Sequence, residues 1–274
     1  MQWRVGSKDE AVSGFAENWY SVFTAHYPLL TVHCEAMHSL FVFTTPPSPC
    51  SYLPHETSSL TYEIVGQLTA AEYQARLLAG WRRFGFSLFR PTCPACTKCQ
   101  SVRVPVATFA PDRSQRRCLA ANDGEVTLVI GEPDVTAAKL DLYDRFHAHQ
   151  SDHIGWAAHA PKDASGYAES FVDNPFDTQE WCYYLGEKLV GVGYVDRLPA
   201  GLSAIYFFHD PEERHRSLGT YNVLSVLRAA AEWRLPHVYL GYFVAGCRSL
   251  EYKTRFKPNE VLGADGEWKM SEAG

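Results

Sequence analysis

Three thiols at even spacing, Cys93, Cys96 and Cys99, form a C-x2-C-x2-C run, and a fourth, Cys50, stands upstream in "PSPCSYLP". Thiolates hold zinc tetrahedrally and iron–sulfur clusters use four cysteines, so these four are the candidate metal ligands. The competing reading is a set of small buried residues, since free thiols are among the most buried side chains. Cys34, Cys118, Cys182 and Cys247 read as ordinary core or loop residues. Around the run the charge is one-sided. Between Arg76 and Arg117 nine Lys and Arg residues stand against a single acid, Asp112, in a chain of formal net charge −6. An acidic body with one basic segment steers a phosphate backbone to one place. The plainer reading is a solvated helix face with scattered arginines.

Two further stretches carry chemistry. In "FFHDPEERHRSLGTYN" (207–222), Arg216-x-x-Gly219 resembles the pyrophosphate loop of acetyltransferase-like folds, where N–H groups at a helix start cradle a phosphate. The small residue expected two places after the glycine is Tyr221 here, which weakens the case for coenzyme A. Such a strand-to-helix loop can also present N–H groups to a developing oxyanion. After the apolar run "YLGYF" (239–243) come Tyr252, Lys253, Arg255 and Lys257, basic groups placed to take a carboxylate or phosphate. His147, His149 and His153 lie near a helix end and read as surface residues. No Ser-His-Asp arrangement and no P-loop is present.

The elements that must position these residues follow from periodicity. "SSLTYEIV" (58–65) alternates as a strand. Thr69 with Glu72 makes a capping box for a helix over 69–85, its apolar face carrying Tyr73, Leu77 and Trp81. Residues 100–109 read as a strand that Pro105 places at an edge or bulge. A second region opens near Glu125: a strand, a helix over 134–150, a hairpin over 180–198 turning at Gly186-Glu187, a strand over 202–210, a helix over 218–233 and a buried strand over 237–243. Length, 274 residues, fits one large domain or two modest ones. At 46% hydrophobic and 20% charged, composition excludes a disordered or membrane-embedded chain. No secretory signal opens it, so the expected location is the cytoplasm, where thiols stay reduced.

Five segments together are similar to the aminoacyl-tRNA–protein transferases, most of all the bacterial aspartate/glutamate leucyltransferases: "PCSYLP" (49–54), "FRPTCPACTKCQSVRVPVATFAPDRSQRR" (89–117), "LSAIYFFHDPEERHRSLGTYNVL" (202–224), "YLGY" (239–242) and "YKTRFKPNEVL" (252–262). The resemblance runs from about Met37 to Trp268. Residues 1–36 lie outside it, and Met37 is a candidate start. It implies an α+β fold, with an acetyltransferase-like (GNAT-like) C-terminal domain over 125–274 and a smaller cysteine-bearing N-terminal domain over 37–124. It implies transfer of leucine from leucyl-tRNA to the α-amine of proteins that begin with Asp or Glu, marking them for degradation. Arginyl relatives use arginyl-tRNA and bind a metal or cluster through cysteines in the region of Cys50 and Cys93. For this chain zinc or an iron–sulfur cluster on Cys50, Cys93, Cys96 and Cys99 stays open, and the transfer chemistry itself requires no cofactor.

The substrates so implied fit the residues. The ester on tRNA is already activated, and an α-amine of pKa about 7.7–8.0 is partly neutral near pH 7, so positioning can supply most of the rate. On this reading Ser217, Leu218 and Gly219 offer N–H groups to the ester carbonyl. Arg90, Arg103, Arg113, Arg116 and Arg117 hold tRNA phosphate. Lys253 and Arg255 bind the acceptor's acidic side chain or the terminal adenosine phosphate, and Tyr206, Asp210, Tyr221 and Tyr242 line the cleft. An arginyl pocket should hold a buried carboxylate and a leucyl pocket should be apolar. The alternatives are an arginyl-tRNA-dependent transferase on the same acceptors, an acetyl-CoA N-acyltransferase and a non-enzymatic RNA-binding protein with a metal knuckle.

Overall fold

The computed structural model describes residues 4–5 and 37–271. One large sheet takes strands from both halves of the sequence. Its order is β1 (Arg4–Val5), β9 (Val126–Gly131), β10 (Thr178–Leu185), β11 (Lys188–Leu198), β12 (Gly201–His209), β13 (His237–Val244), β8 (Cys99–Pro105), β14 (Glu260–Leu262) and β15 (Trp268–Met270). A smaller sheet runs β2 (His38–Thr44), β5 (Leu60–Gln67), β7 (Ser87–Pro91), β6 (Arg82–Phe84), and β3 (Ser48–Pro49) pairs with β4 (Thr57–Ser58). The sequence boundary at 124/125 passes through the large sheet, because β8 before it pairs antiparallel with β13 after it. Apart from Arg4 and Val5, residues 1–36 lie outside the described residues.

Helices cover both faces of the large sheet. The helix α5 (Leu218–Glu232) packs Val223, Leu224 and Leu227 against Val102, Leu202 and Val238. It is buried nearly all round because α2 (Arg113–Asn122) lies on its outer side. On the opposite face, α3 (Ala137–Ile154) buries Leu142 and Phe146 among Val192, Tyr194 and Phe208, together with Tyr167 of the short α4 (Ala164–Tyr167). Thr136 caps α3 and Gly155, at φ 83°, ends it, so the helix runs one turn beyond the expected stop at 150.

The first helix, α1 (Ala70–Leu78), has the expected capping box, in which Thr69 and Glu72 satisfy each other's backbone N–H groups. It stops earlier than 85. Gly80 takes φ 83°, and the chain turns into β6 at Arg82. β8 is also shorter than its sequence suggests, and it lies inside the sheet between β13 and β14. Pro105 is its last residue, where the missing N–H breaks no interior pairing.

A buried ion pair joins the two sheets. Arg83 of β6 donates Nε and Nη2 to the two carboxylate oxygens of Asp196 on β11, each at 2.8 Å, and also reaches Gly85 O, Asn174 Oδ1 and Thr178 Oγ1. Neither charged group is exposed by more than 1%. Removing one partner of such a pair strands the other charge, at a cost of about 3–5 kcal/mol. Asp196→Ala should therefore lose that much stability in urea unfolding, while Arg83→Met with Asp196→Leu together should lose less than either single change.

Candidate active site

β12 and β13 are parallel neighbours, yet they pair only where Gly201–Ser203 meet His237–Tyr239. Beyond that point the two strands separate and leave a wedge. A register shift between Tyr239 and Gly241 interrupts the ladder of β13 with β8, and Gly241 takes φ 87°. Glycine is favoured there by its backbone, and its missing side chain leaves room for two cations. The left-handed backbone strains any side chain, and a Cβ would stand 3.2 Å from Lys253 Nζ and 3.6 Å from Arg82 Nε.

Two cations thus converge on one glycine. Arg82 comes from β6 and donates Nη2 to Ala204 O of β12 at 3.0 Å. Lys253 comes from the 3₁₀ turn Tyr252–Arg255 and donates Nζ to Tyr242 O of β13 at 3.0 Å. Each separating strand therefore binds one cation through a backbone carbonyl. Among the described residues neither cation pairs with a carboxylate. Burial pushes the Lys253 amine down, and the Arg82 guanidinium adds to it, to about 7. Arg82 is buried and Lys253 half-buried, and two such cations with no anion between them make a site for an anion from outside.

The other side of the wedge is aromatic. Tyr206 of β12 meets Phe84 of β6 at 6.0 Å and Phe171 at 5.5 Å between ring centroids. His147 reaches it from α3, its Nε2 lying 2.7 Å from Tyr206 Oη and its Nδ1 2.7 Å from Tyr143 O. A carbonyl only accepts, so Nδ1 carries the proton of the neutral ring, Nε2 accepts, and the tyrosine hydroxyl donates. Burial holds His147 below the usual histidine range and drives the Tyr206 phenol well above its own, so both groups are neutral near pH 7. His147 was expected at the surface; it is half-buried and faces inward, while His153 is exposed.

The remaining sequence-derived site residues fall in different places. Ser217, Leu218 and Gly219 start α5. Ser217 sits at φ 54° and its N–H is taken by Arg214 O, so only Leu218 and Gly219 can offer N–H groups at the helix start. Asp210 is fully buried and pairs with Arg145 and Lys188. Against the penalty of burial, those cations and the Glu212 N–H keep its carboxyl below the usual range, and it secures the loop before α5. Tyr221 is fully buried and donates to Asp123. Tyr242 is buried beside the wedge, its hydroxyl donating to Gly80 O at 2.8 Å. Arg255 is exposed and does not join Lys253.

The basic stretch is not one face. Arg76 pairs with Glu63, Arg83 with Asp196, Lys98 with Glu56 and Arg103 with Glu260. Arg103 also stacks over Trp268, and Arg90 over Trp81 at 4.9 Å. Arg113, Arg116 and Arg117 remain exposed on α2. The four motif cysteines are half-buried and reduced, and two of them, Cys50 and Cys99, pack against the core patch of Leu53, Tyr242, Val244 and Cys247. Burial, then the neighbouring Cys93, Cys50 and Cys96 thiols, push Cys99 up to about 12. Among the described residues no group of three or more His, Cys, Asp or Glu is arranged to hold a metal ion. Nor does any helix among them have the length and apolarity to cross a membrane.

The family described as "Arginine-tRNA-protein transferase, C terminus" matches residues 138–263, and its N-terminal counterpart matches residues 48–117. An aspartate/glutamate leucyltransferase of Marinobacter nauticus is 38% identical over 237 residues, 85% of this chain and 97% of that protein. One from Helicobacter hepaticus is 35% identical over 224 residues, covering 81% and 92%. A solved C-terminal domain of a putative lysylphosphatidylglycerol synthetase from Agrobacterium fabrum aligns with a TM-score of 0.44 at 13% identity, over 73% of this chain and 68% of that one.

Proposed function

The chain belongs to the arginine-tRNA-protein transferase family, among its aspartate/glutamate leucyltransferases, and from that premise we propose that the wedge between β12 and β13 is where the aminoacyl ester meets the acceptor amine. The enzyme transfers leucine from leucyl-tRNA to the N-terminal α-amine of proteins that begin with Asp or Glu. The observation that carries the site assignment is the Arg82–Lys253 pair at Gly241. An N-terminal Asp or Glu brings the carboxylate those cations lack, and its α-amine lies only a few bonds away.

Chemistry then requires little beyond placement. The α-amine attacks the ester carbonyl, the C–O bond to the terminal ribose breaks, and an amide forms. The amine nitrogen must lose a proton and the ribose oxygen must gain one. Tyr206 can take the first while passing its own proton to His147 Nε2, and the reverse transfer protonates the leaving oxygen. The N–H groups of Leu218 and Gly219 are our candidates for the carbonyl oxygen as its charge develops. Phe84 and Phe171 give the leucyl side chain an apolar wall. The separation of β12 and β13 supports an acetyltransferase-like reading of residues 125–274, with the acyl donor held in the wedge. The exposed arginines of α2 are our candidates for tRNA phosphate. No step in this scheme passes through a metal, because the ester arrives activated.

A transfer assay tests the reading. Total tRNA would be charged separately with labelled leucine and labelled arginine and offered peptides beginning with Asp, Glu, Lys or Ala. Leucine on the Asp and Glu peptides alone is the expected result. Arginine on the same peptides would change the donor, and label from neither would overturn the assignment.

A further inference from the structure

The small sheet carries a row of aromatic side chains that ends at the wedge. Register places Phe43 of β2 opposite Tyr62 of β5, Tyr62 opposite Phe89 of β7, and Phe89 opposite Arg82 of β6. Directly opposed residues share one face, so these four form a single line across four strands. The rings touch in sequence: Phe43 to Tyr62 at 5.3 Å and 13° between planes, Tyr62 to Phe89 at 5.9 Å, and Phe89 to Tyr242 at 6.2 Å. Phe41, two residues back along β2 and on the same face, lies beside the outer end of the line, 5.8 Å from Phe43. No Asp or Glu stands in the row. The outer members are unusually bare for such side chains, Phe41 at 56% and Phe43 at 43% exposed. Three strand spacings of about 4.8 Å set the length near 14 Å from Phe43 to Arg82.

We propose that this row is a stacking platform for the unpaired 3′ end of the aminoacyl-tRNA, guiding the ester into the wedge. The inference rests on the transfer reading given above. Every base presents a π-face, so a line of aromatic rings binds a single strand without reading its sequence. That suits an end common to all tRNAs. The inner end of the line is Arg82, a cation already inside the wedge, and the row is free of carboxylates that would repel a phosphodiester. An acceptor protein presents only its first residues to the reaction and has no use for a platform of this length. A nucleotide strand bearing its ester at the tip needs one.

The test measures binding of full-length protein to deacylated tRNA, intact or lacking its last three nucleotides, at fixed salt. Wild type should lose affinity about five- to a hundredfold when the end is removed, as expected for one or two stacked bases. Phe43→Ser and, separately, Phe41→Ser should bind intact tRNA more weakly and should be indifferent to the truncation. Both residues are exposed, so melting temperature should hold, and Tyr62→Phe should retain the wild-type response. Equal loss on truncation in wild type and both variants would overturn the platform. So would an effect confined to the KM of the acceptor peptide, or tighter tRNA binding by the serine variants, as when residues 6–36 of this chain cover the row. If wild type transfers no aminoacyl group yet shows the truncation effect and its loss in the variants, the transfer reading fails and the platform stands.

Discussion

Replacing His147 with alanine should lower kcat about a hundredfold or more while leaving both KM values close to wild type. Positioned proton transfer contributes about 10²–10⁴ in rate. In the proposed relay between the imidazole and the Tyr206 hydroxyl the direction is set by Tyr143 O, which obliges Nδ1 to keep its proton and leaves Nε2 as the base. Tyr206→Phe should reproduce most of the loss, because it removes the atom that meets the amine. The double variant should be no worse than the more damaging single one, since groups that act as one unit do not multiply their effects. Single-turnover transfer from leucyl-tRNA to an Asp-peptide reads this directly. Multiplicative losses would break the relay, as would a rise in acceptor KM at unchanged kcat. Burial, foremost, keeps His147 below the usual histidine range, so its own protonation should not limit the rate above pH 6.5.

How this site could be read from sequence differs from residue to residue. The position of Lys253, a basic group just past a buried strand, was legible, and the structure sets its Nζ on Tyr242 O of that strand. That of its partner Arg82 was not. "WRRFG" follows a capped helix without a break, and only Gly80 in a left-handed conformation ends that helix and starts β6. Alternation along three residues then sends Arg83 to Asp196 and Arg82 to the wedge, a division that depends on pairing with β7. The basic stretch looked like one surface because the acids that neutralise it are remote in sequence. Glu63, Asp196 and Glu260 reach Arg76, Arg83 and Arg103 only through tertiary packing. His147 was misplaced for the opposite reason. Its position near the expected helix end suggested solvent, but α3 continues a further turn and its inward face meets Tyr206 from a distant strand. The elements themselves followed local rules closely: the hairpin at Gly186, the capping box at Thr69 and the strand–loop–helix before α5 are all set by short-range chemistry.

The second large effect should appear in acceptor choice at Lys253. Wild type should prefer an Asp-peptide to the isosteric Asn-peptide, since a hydrogen bond to a charged group is worth about 1.5–3 kcal/mol, about ten- to a hundredfold in kcat/KM. In Lys253→Met that preference should shrink toward the share supplied by Arg82, and in the variant lacking both cations it should vanish. The comparison of peptides and proteins is a double-mutant cycle, so it isolates the contact from any general damage to the wedge. The pH profile gives an independent reading. Free Lys253 is charged only below about 7, whereas the acceptor amine is neutral only above about 7.7–8.0. Productive encounter needs the charged lysine and the neutral amine together, so kcat/KM should peak between about pH 7 and 8 and fall on both sides. Lys253→Met removes the lysine's requirement, and its kcat/KM, though lower, should rise with pH and stay level above 8. An alkaline fall that survives in Lys253→Met would assign that limb to another group and take Lys253 out of acceptor recognition.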